Sequence, residues 1–261
     1  MANRFRKVII SSIWLIQFLM RSVFLRLMIH DRVLRAKVIS NSVHVTCKRL
    51  CNTMGLTINI TNPEKLTILK SNTHLIVSNH ISYTDILILA SLAPITFVTS
   101  VEMKHNSILG FITRLSGCLY TERRSTAGLH DEIESVSNYL KDEINVGIFP
   151  EGTSYDGKWL RPFHKSLFQS AVISETPVLP ICIKYTRINS SLIDVEEREK
   201  LAWINHEPFN LHLKRILSYS SISVDVTILD ELTDYSKGRK ELAETAQSAI
   251  SLVYSDKSQD C

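Results

Sequence analysis

The chain has 261 residues, 44% hydrophobic and 21% charged, a balance that fits a folded protein and excludes a disordered one. Its net charge of +4 is unevenly spread: the first 62 residues carry ten Lys or Arg against the single acid Asp31, so a basic arm precedes a mildly acidic body. That asymmetry argues for contact with an anionic surface and against a uniformly basic nucleic-acid binder, while five cysteines without ligand or redox spacing argue against a metal site or a disulfide framework and for a reducing, cytoplasmic-side location.

In chain order, residues 8–20 form a mostly apolar run between Lys7 and Arg21, resumed by Val23, Phe24 and Leu25 before Arg26. The run is shorter than the roughly 20 residues a bilayer span needs, so shallow or re-entrant insertion with snorkelling cations is expected. A cleaved signal peptide competes with that reading, but no small-x-small cleavage site follows. Residues 31–54 fit an amphipathic helix that faces either a membrane or the body. We therefore expect an N-terminal membrane-anchoring helical segment over 1–54 and an α/β domain over 55–261.

After Gly55, short β-branched runs alternate with helical patterns, which predicts a mixed, largely parallel sheet flanked by helices. The expected strands are Thr57–Ile60, Leu66–Leu69, Leu75–Ser78, Ile95–Thr99, Cys118–Thr121, Val146–Phe149, Val178–Tyr185 and Ser223–Leu229, the first two joined as a hairpin by Asn62-Pro63. The expected helices are Thr84–Ser91, Met103–Leu115, Ala127–Lys141, His164–Ser174, Phe209–Leu217 and Ser236–Tyr254.

Two strings follow predicted strands, where functional residues gather in such sheets: Asn79-His80-Ile81-Ser82-Tyr83-Thr84-Asp85 and Phe149-Pro150-Glu151-Gly152-Thr153-Ser154. On an uninterrupted helix, residues five apart point about 140° away from each other, so a His80–Asp85 hydrogen bond requires His80 to lie in the turn before the helix. Ser82 as N-cap with Asp85 at the third helical position supplies that start, and leaves two readings open: a capping box alone, or a dyad in which Asp85 orients His80 as general base. Arg123 ends another strand and is suited to grip a phosphate, or is a solvated charge paired with Glu151.

Four blocks in order carry a resemblance: Asn79-His80-x-Ser82-x-x-Asp85, Gly117-x-x-Tyr120-x-x-Arg123, Phe149-Pro150-Glu151-Gly152-Thr153 and Val178-Leu179-Pro180-Ile181. Together they resemble the glycerolipid, PlsC-type 1-acylglycerol-3-phosphate acyltransferases, over roughly residues 60–230. The resemblance implies transfer of an acyl chain from acyl-CoA or acyl carrier protein to the free hydroxyl of a lysophospholipid at the inner face of a membrane, with no metal and no cofactor beyond the acyl donor. It implies His80 as general base, Asp85 as its orienting partner, and Arg123, Glu151, Gly152, Thr153, Gly117, Tyr120 and Pro180 as the substrate-binding set. Three positions depart from the pattern: Tyr120 for a Phe, Ser154 for an Arg after the Phe-Pro-Glu-Gly-Thr string, and Ser100 for a Lys. Arg161, His164 and Lys165 are the cations available to compensate. The string from Phe149 to Phe168 looks more like the branch that includes lyso-ornithine-lipid acyltransferases, whose acceptor has no phosphate. A hydrolase using His80 with water, a metal-dependent phosphohydrolase and a lipid carrier without catalysis are the competing classes.

Overall fold

A computed structural model describes residues 2–106, 108–122, 128–204 and 207–255. The chain opens with two helices, α1 (Ala2–Met28) and α2 (Arg32–Met54), then runs through β1 (Leu56–Ile60), α3 (Leu66–Ser71), β2 (Leu75–Ser78), α4 (Tyr83–Leu92) and β3 (Thr96–Ser100). It continues through α5 (Val101–His105), α6 (Leu109–Leu115), β4 (Leu119–Thr121), α7 (Leu129–Lys141), β5 (Val146–Ile148) and α8 (Gln169–Ser174). The last part holds β6 (Val178–Ile188), β7 (Ser191–Leu192), α9 (Val195–Arg198), α10 (Phe209–Ile216), β8 (Ile222–Ile228) and α11 (Gly238–Ser255).

The strands form one sheet in the order β1-β8-β6-β2-β5-β3-β4, with β7 paired to β6. All pairings among the described residues are parallel except β6 with β8 and β6 with β7, which agrees with the expected mixed, largely parallel sheet. Side chains alternate between two apolar layers, as the period of a strand dictates. Leu75 and Val77 of β2 face the layer built with Val136, Leu140, Ala171 and Ile250, whereas Ile76 faces the layer built with Val43, Cys51, Ile88 and Leu89. Burial on both faces explains the continuous apolar runs 75–77 in β2 and 178–183 in β6.

Three sequence expectations fail here. Residues 66–69 form helix α3, not a strand, and β1 pairs in parallel with β8 across 166 residues of chain, so it has no hairpin partner. A short apolar run has no periodicity that separates strand from helix, and the partner of β1 is too distant in sequence to be foreseen. The expected helix 103–115 is two helices, because the Asn106 side chain accepts from Ile108 N and Leu109 N and turns the chain between them.

The two N-terminal helices differ in burial. Asp31 caps α2 by accepting from Leu34 N at 2.7 Å, and α2 buries Ile39, Val43, Cys47, Cys51 and Met54, so this part of its apolar stripe packs into the body, while Leu34 stays exposed. Helix α1 is uninterrupted and leaves Ile9, Ile13, Ile16, Met20, Phe24 and Leu27 exposed. Its Asn3–Met28 segment is by length and composition long enough to cross a membrane, a length that the charge at Arg21 conceals in the sequence. Lys7, expected to snorkel outward, is instead buried: its ammonium donates to Met54 O at 2.7 Å, Tyr219 O at 2.8 Å and Ser220 O at 3.1 Å. It thereby satisfies the carboxyl end of α2 and pins α1 to the body. Gly55 makes this possible, since it has φ +80° and a Cβ there would lie 2.5 Å from Ser220 O.

Candidate active site

Strand β2 ends at Ser78, and Asn79 takes over its place beside β6: Nδ2 donates to Ile183 O and Oδ1 accepts from Ile183 N, both at 2.8 Å. This buried clamp delivers His80 into the turn before α4, where the His80–Asp85 spacing requires it. Ser82 is the N-cap of α4 and its backbone N donates to Asp85 Oδ2 at 2.9 Å, completing the capping box. The same Oδ2 accepts from Ile81 N at 2.7 Å and from His80 Nδ1 at 2.9 Å. One carboxylate therefore both caps the helix and holds the imidazole. An ionised carboxylate only accepts, so Nδ1 carries the proton and the other ring nitrogen, Nε2, is left as the basic one.

A residue outside the expected set completes this arrangement. Tyr185, fully buried on β6, donates its hydroxyl to Asp85 Oδ1 at 2.6 Å and lies 2.7 Å from Thr84 Oγ1. Burial, then the neighbouring Asp85 charge, pushes the Tyr185 phenol well above its ordinary value, which keeps it a donor. Four donors and the amino end of α4 thus converge on the Asp85 carboxylate, which is 1% exposed. A polar aromatic directly after the apolar run 178–183 and Lys184 is the one signal for Tyr185 in the sequence.

The loop after β5 supports the imidazole from the other side. Phe149 stacks on the His80 ring with centroids 4.0 Å apart, and Phe97 stacks behind Phe149. Glu151, 4% exposed, accepts from His80 N at 2.7 Å through Oε1 and from Arg161 N at 2.9 Å through Oε2. Burial raises the Glu151 carboxyl above its ordinary value, and these two amides oppose that rise. Both of its oxygens are thus spent on backbone, tying the loop after β2 to the segment after β5. Gly152 has φ +77°, and a Cβ there would meet the His164 ring at 2.9 Å. Thr153 beside it is exposed.

The compensating cations separate. Lys165 is engaged by Glu244 at 2.6 Å. Arg161 is placed by two links to the backbone of His80: Glu151 holds its N–H, and its guanidinium lies over Tyr155, whose N donates to His80 O at 3.2 Å. The Ser154 hydroxyl donates to Trp203 O at 2.5 Å, and Trp203 N donates to Ile81 O, so the segment after β7 closes over the His80 loop. The sequence patterns assign no element between Tyr185 and Phe209 and miss this cover of Tyr83, Trp203, Phe209 and His212.

The remaining expected residues lie elsewhere. Gly117 and Tyr120 line a cavity at the amino ends of β3 and β4, and Tyr120 OH lies 2.9 Å from Thr113 Oγ1. Pro180 is buried in β6 opposite Val77. Arg123 lies outside the described residues. Among those described, one group has the proximity of metal ligands, His130, Asp131 and Glu134, all exposed on α7. Burial pushes the thiols of Cys51, Cys118 and Cys182 up to about 12 and that of Cys47 further, so none of them is a thiolate nucleophile near neutral pH.

Comparison with known proteins bears on this geometry. Residues 57–184, which run from β1 into β6 and include both the His80 loop and the Glu151 loop, match the family described as Acyltransferase. Over those residues the chain carries an acyltransferase-family domain. It is 32% identical over 181 residues to a lyso-ornithine lipid O-acyltransferase of Pseudomonas aeruginosa, an alignment covering 68% of this chain and 66% of that protein, just under two thirds of the relative's length. It is 31% identical over 111 residues to a 1-acyl-sn-glycerol-3-phosphate acyltransferase of Neisseria gonorrhoeae, covering 42% and 44% of the two chains. The crystal structure of the 1-acyl-sn-glycerophosphate acyltransferase PlsC from Thermotoga maritima superposes with a TM-score of 0.65 at 16% identity, covering 98% of this chain and 96% of that one, which establishes a shared fold.

Proposed function

We propose that the chain is an O-acyltransferase that moves a fatty acyl group from an acyl-CoA or acyl carrier protein thioester to the free hydroxyl of a lysophospholipid, with 1-acyl-sn-glycerol-3-phosphate as acceptor and phosphatidic acid as product. The observation that carries this reading is the 2.9 Å hydrogen bond from His80 Nδ1 to Asp85 Oδ2, which leaves Nε2 as a base on a ring clamped by Phe149. Nε2 takes the proton of the acceptor hydroxyl as the oxygen attacks the thioester carbonyl. The tetrahedral intermediate then expels the thiolate, which recovers the proton from the imidazolium that Asp85 stabilises. Transfer is direct, because the described cysteines are held protonated by burial. No cofactor other than the acyl donor enters the scheme.

Glu151, Gly152 and Thr153 belong to the acceptor side of this site, with Glu151 acting through the backbone it holds, and Arg123 and Pro180 complete the proposed substrate-binding set, whereas Gly117 and Tyr120 line the cavity at the amino ends of β3 and β4. Residues 1–54 form the anchor and 55–261 the catalytic domain, with the exposed apolar face of α1 holding the enzyme at the cytoplasmic face of a membrane.

A second acceptor, lyso-ornithine lipid, is favoured by a specific observation: Ser154 stands where the family pattern has an Arg and its hydroxyl is committed to Trp203 O. Purified full-length protein given a labelled acyl thioester and both lysolipids side by side separates the readings. Preferred esterification of 1-acyl-sn-glycerol-3-phosphate supports the first, preference for lyso-ornithine lipid replaces it with the second, and release of free fatty acid alone would make the protein a hydrolase.

A further inference from the structure

The cavity at the amino ends of β3 and β4 has a volume of about 400 Å³ and gathers five cations, Arg26, Arg32, Arg35, Lys104 and Arg114, with no carboxylate among its described lining residues. Its lining at the sheet lies toward the opposite strand ends from the carboxyl end of β2 that presents His80: Thr96 begins β3, Gly117 and Cys118 precede β4, and the strands between are parallel.

Apart from Arg32, the cations are positioned by neutral groups. Arg26 donates to Arg114 O at 2.5 Å, Arg35 to Ile29 O at 3.1 Å, and Arg114 to Lys104 O at 3.4 Å. Lys104 lies over the Tyr120 ring and Arg32 over the Tyr139 ring, and Arg32 approaches an acid, Asp142, at 3.7 Å. The Arg26 Nε is buried without a hydrogen-bond partner. Converging like charges with a spare buried donor repel one another until an anion enters. A phosphate suits this set, since its several oxygens accept from more than one guanidinium.

Apolar side chains beside the cavity identify the source of that phosphate. Leu27 and Met28 at the end of α1, Leu34 on α2, and Ile108 and Phe111 at α6 are all exposed. Cations next to exposed apolar side chains match the level of lipid headgroups above acyl chains. We propose that this cavity binds the headgroup phosphate of an anionic membrane lipid, a site separate from the His80 centre. The inference rests on the membrane apposition proposed above.

The test measures binding of the full chain to phosphatidylcholine vesicles with and without phosphatidylglycerol. At about fivefold per cation, Arg35→Gln with Lys104→Gln lowers affinity for the anionic vesicles roughly thirtyfold. Arg4→Gln with Arg6→Gln removes the same charge about 33 Å away along α1, and its expected loss is below about fivefold. Equal losses in the two pairs would overturn the cavity and leave only diffuse attraction. A wild-type chain that binds no vesicles would overturn both this inference and the membrane reading. Wild-type protein also gives a test without variants: anionic vesicles slow acetylation of the Lys104 amine, whereas neutral vesicles do not. An unchanged labelling rate contradicts the proposal, and protection by millimolar inorganic phosphate alone would reassign the site to a soluble anion.

Discussion

The two buried carboxylates of the site, Asp85 at the start of α4 and Glu151 after β5, are used differently. Asp85 accepts from the His80 ring, two backbone amides and the Tyr185 hydroxyl, at the amino end of a helix. Glu151 accepts from two backbone amides, one of them that of His80, and burial raises its carboxyl. One carboxylate sets the proton position on the imidazole, and the other sets where the imidazole stands. The comparison teaches that nearly equal burial supports different roles, depending on whether a carboxylate meets a side chain or the backbone.

Removing the base gives the largest effect. General-base assistance typically contributes 10²–10⁴-fold, so His80→Ala lowers acyl transfer by about that factor, with an unchanged thermal midpoint as the check on folding. Asp85→Asn places an amide against Nδ1, loses the tautomer and lowers turnover by at least about 10²-fold. It also weakens the cap of α4 by about 1–3 kcal/mol, read by urea unfolding.

Glu151→Gln sharpens the contrast, because it keeps one acceptor and removes the buried charge. Activity falls by roughly tenfold as one of the two amides loses its partner. The stability comparison has a defined sign. A raised folded-state pKa means that the native carboxyl stays protonated after the unfolded one ionises near pH 4.3, so wild-type stability falls as pH rises from there through the folded value. Relative to the glutamine variant, wild type is therefore at its best in acid and loses ground toward neutral pH, measurable by unfolding across that range. Tyr185→Phe gives the smallest effect, a severalfold loss of turnover with about 1 kcal/mol of stability, because three other donors remain on Asp85.

Much of this site is legible locally. The five-residue spacing from His80 to Asp85 requires a turn before a helix, and Ser82 supplies its cap, so short-range geometry places the dyad. Glu151 and Gly152 stand out from their string, but the task of Glu151 does not, because a sequence gives no sign that a carboxylate will turn to backbone. Tyr185 lies 100 residues from Asp85, Trp203 reaches Ile81 across 122 residues, and Lys7 reaches Ser220 across 213. Contacts of that range depend on strand order, which short β-branched runs do not encode. For the same reason the pattern offers β1 a hairpin partner that it lacks, and groups Gly117 and Tyr120 with residues at the other end of the strands.

The central claim is that His80 and Asp85 act as one unit, and a double-mutant cycle on the acyl-transfer rate tests it most directly. The account predicts that His80→Ala with Asp85→Asn is no slower than His80→Ala alone, because the carboxylate has nothing left to orient. Losses that multiply in the double variant would contradict it and reduce Asp85 to a helix cap.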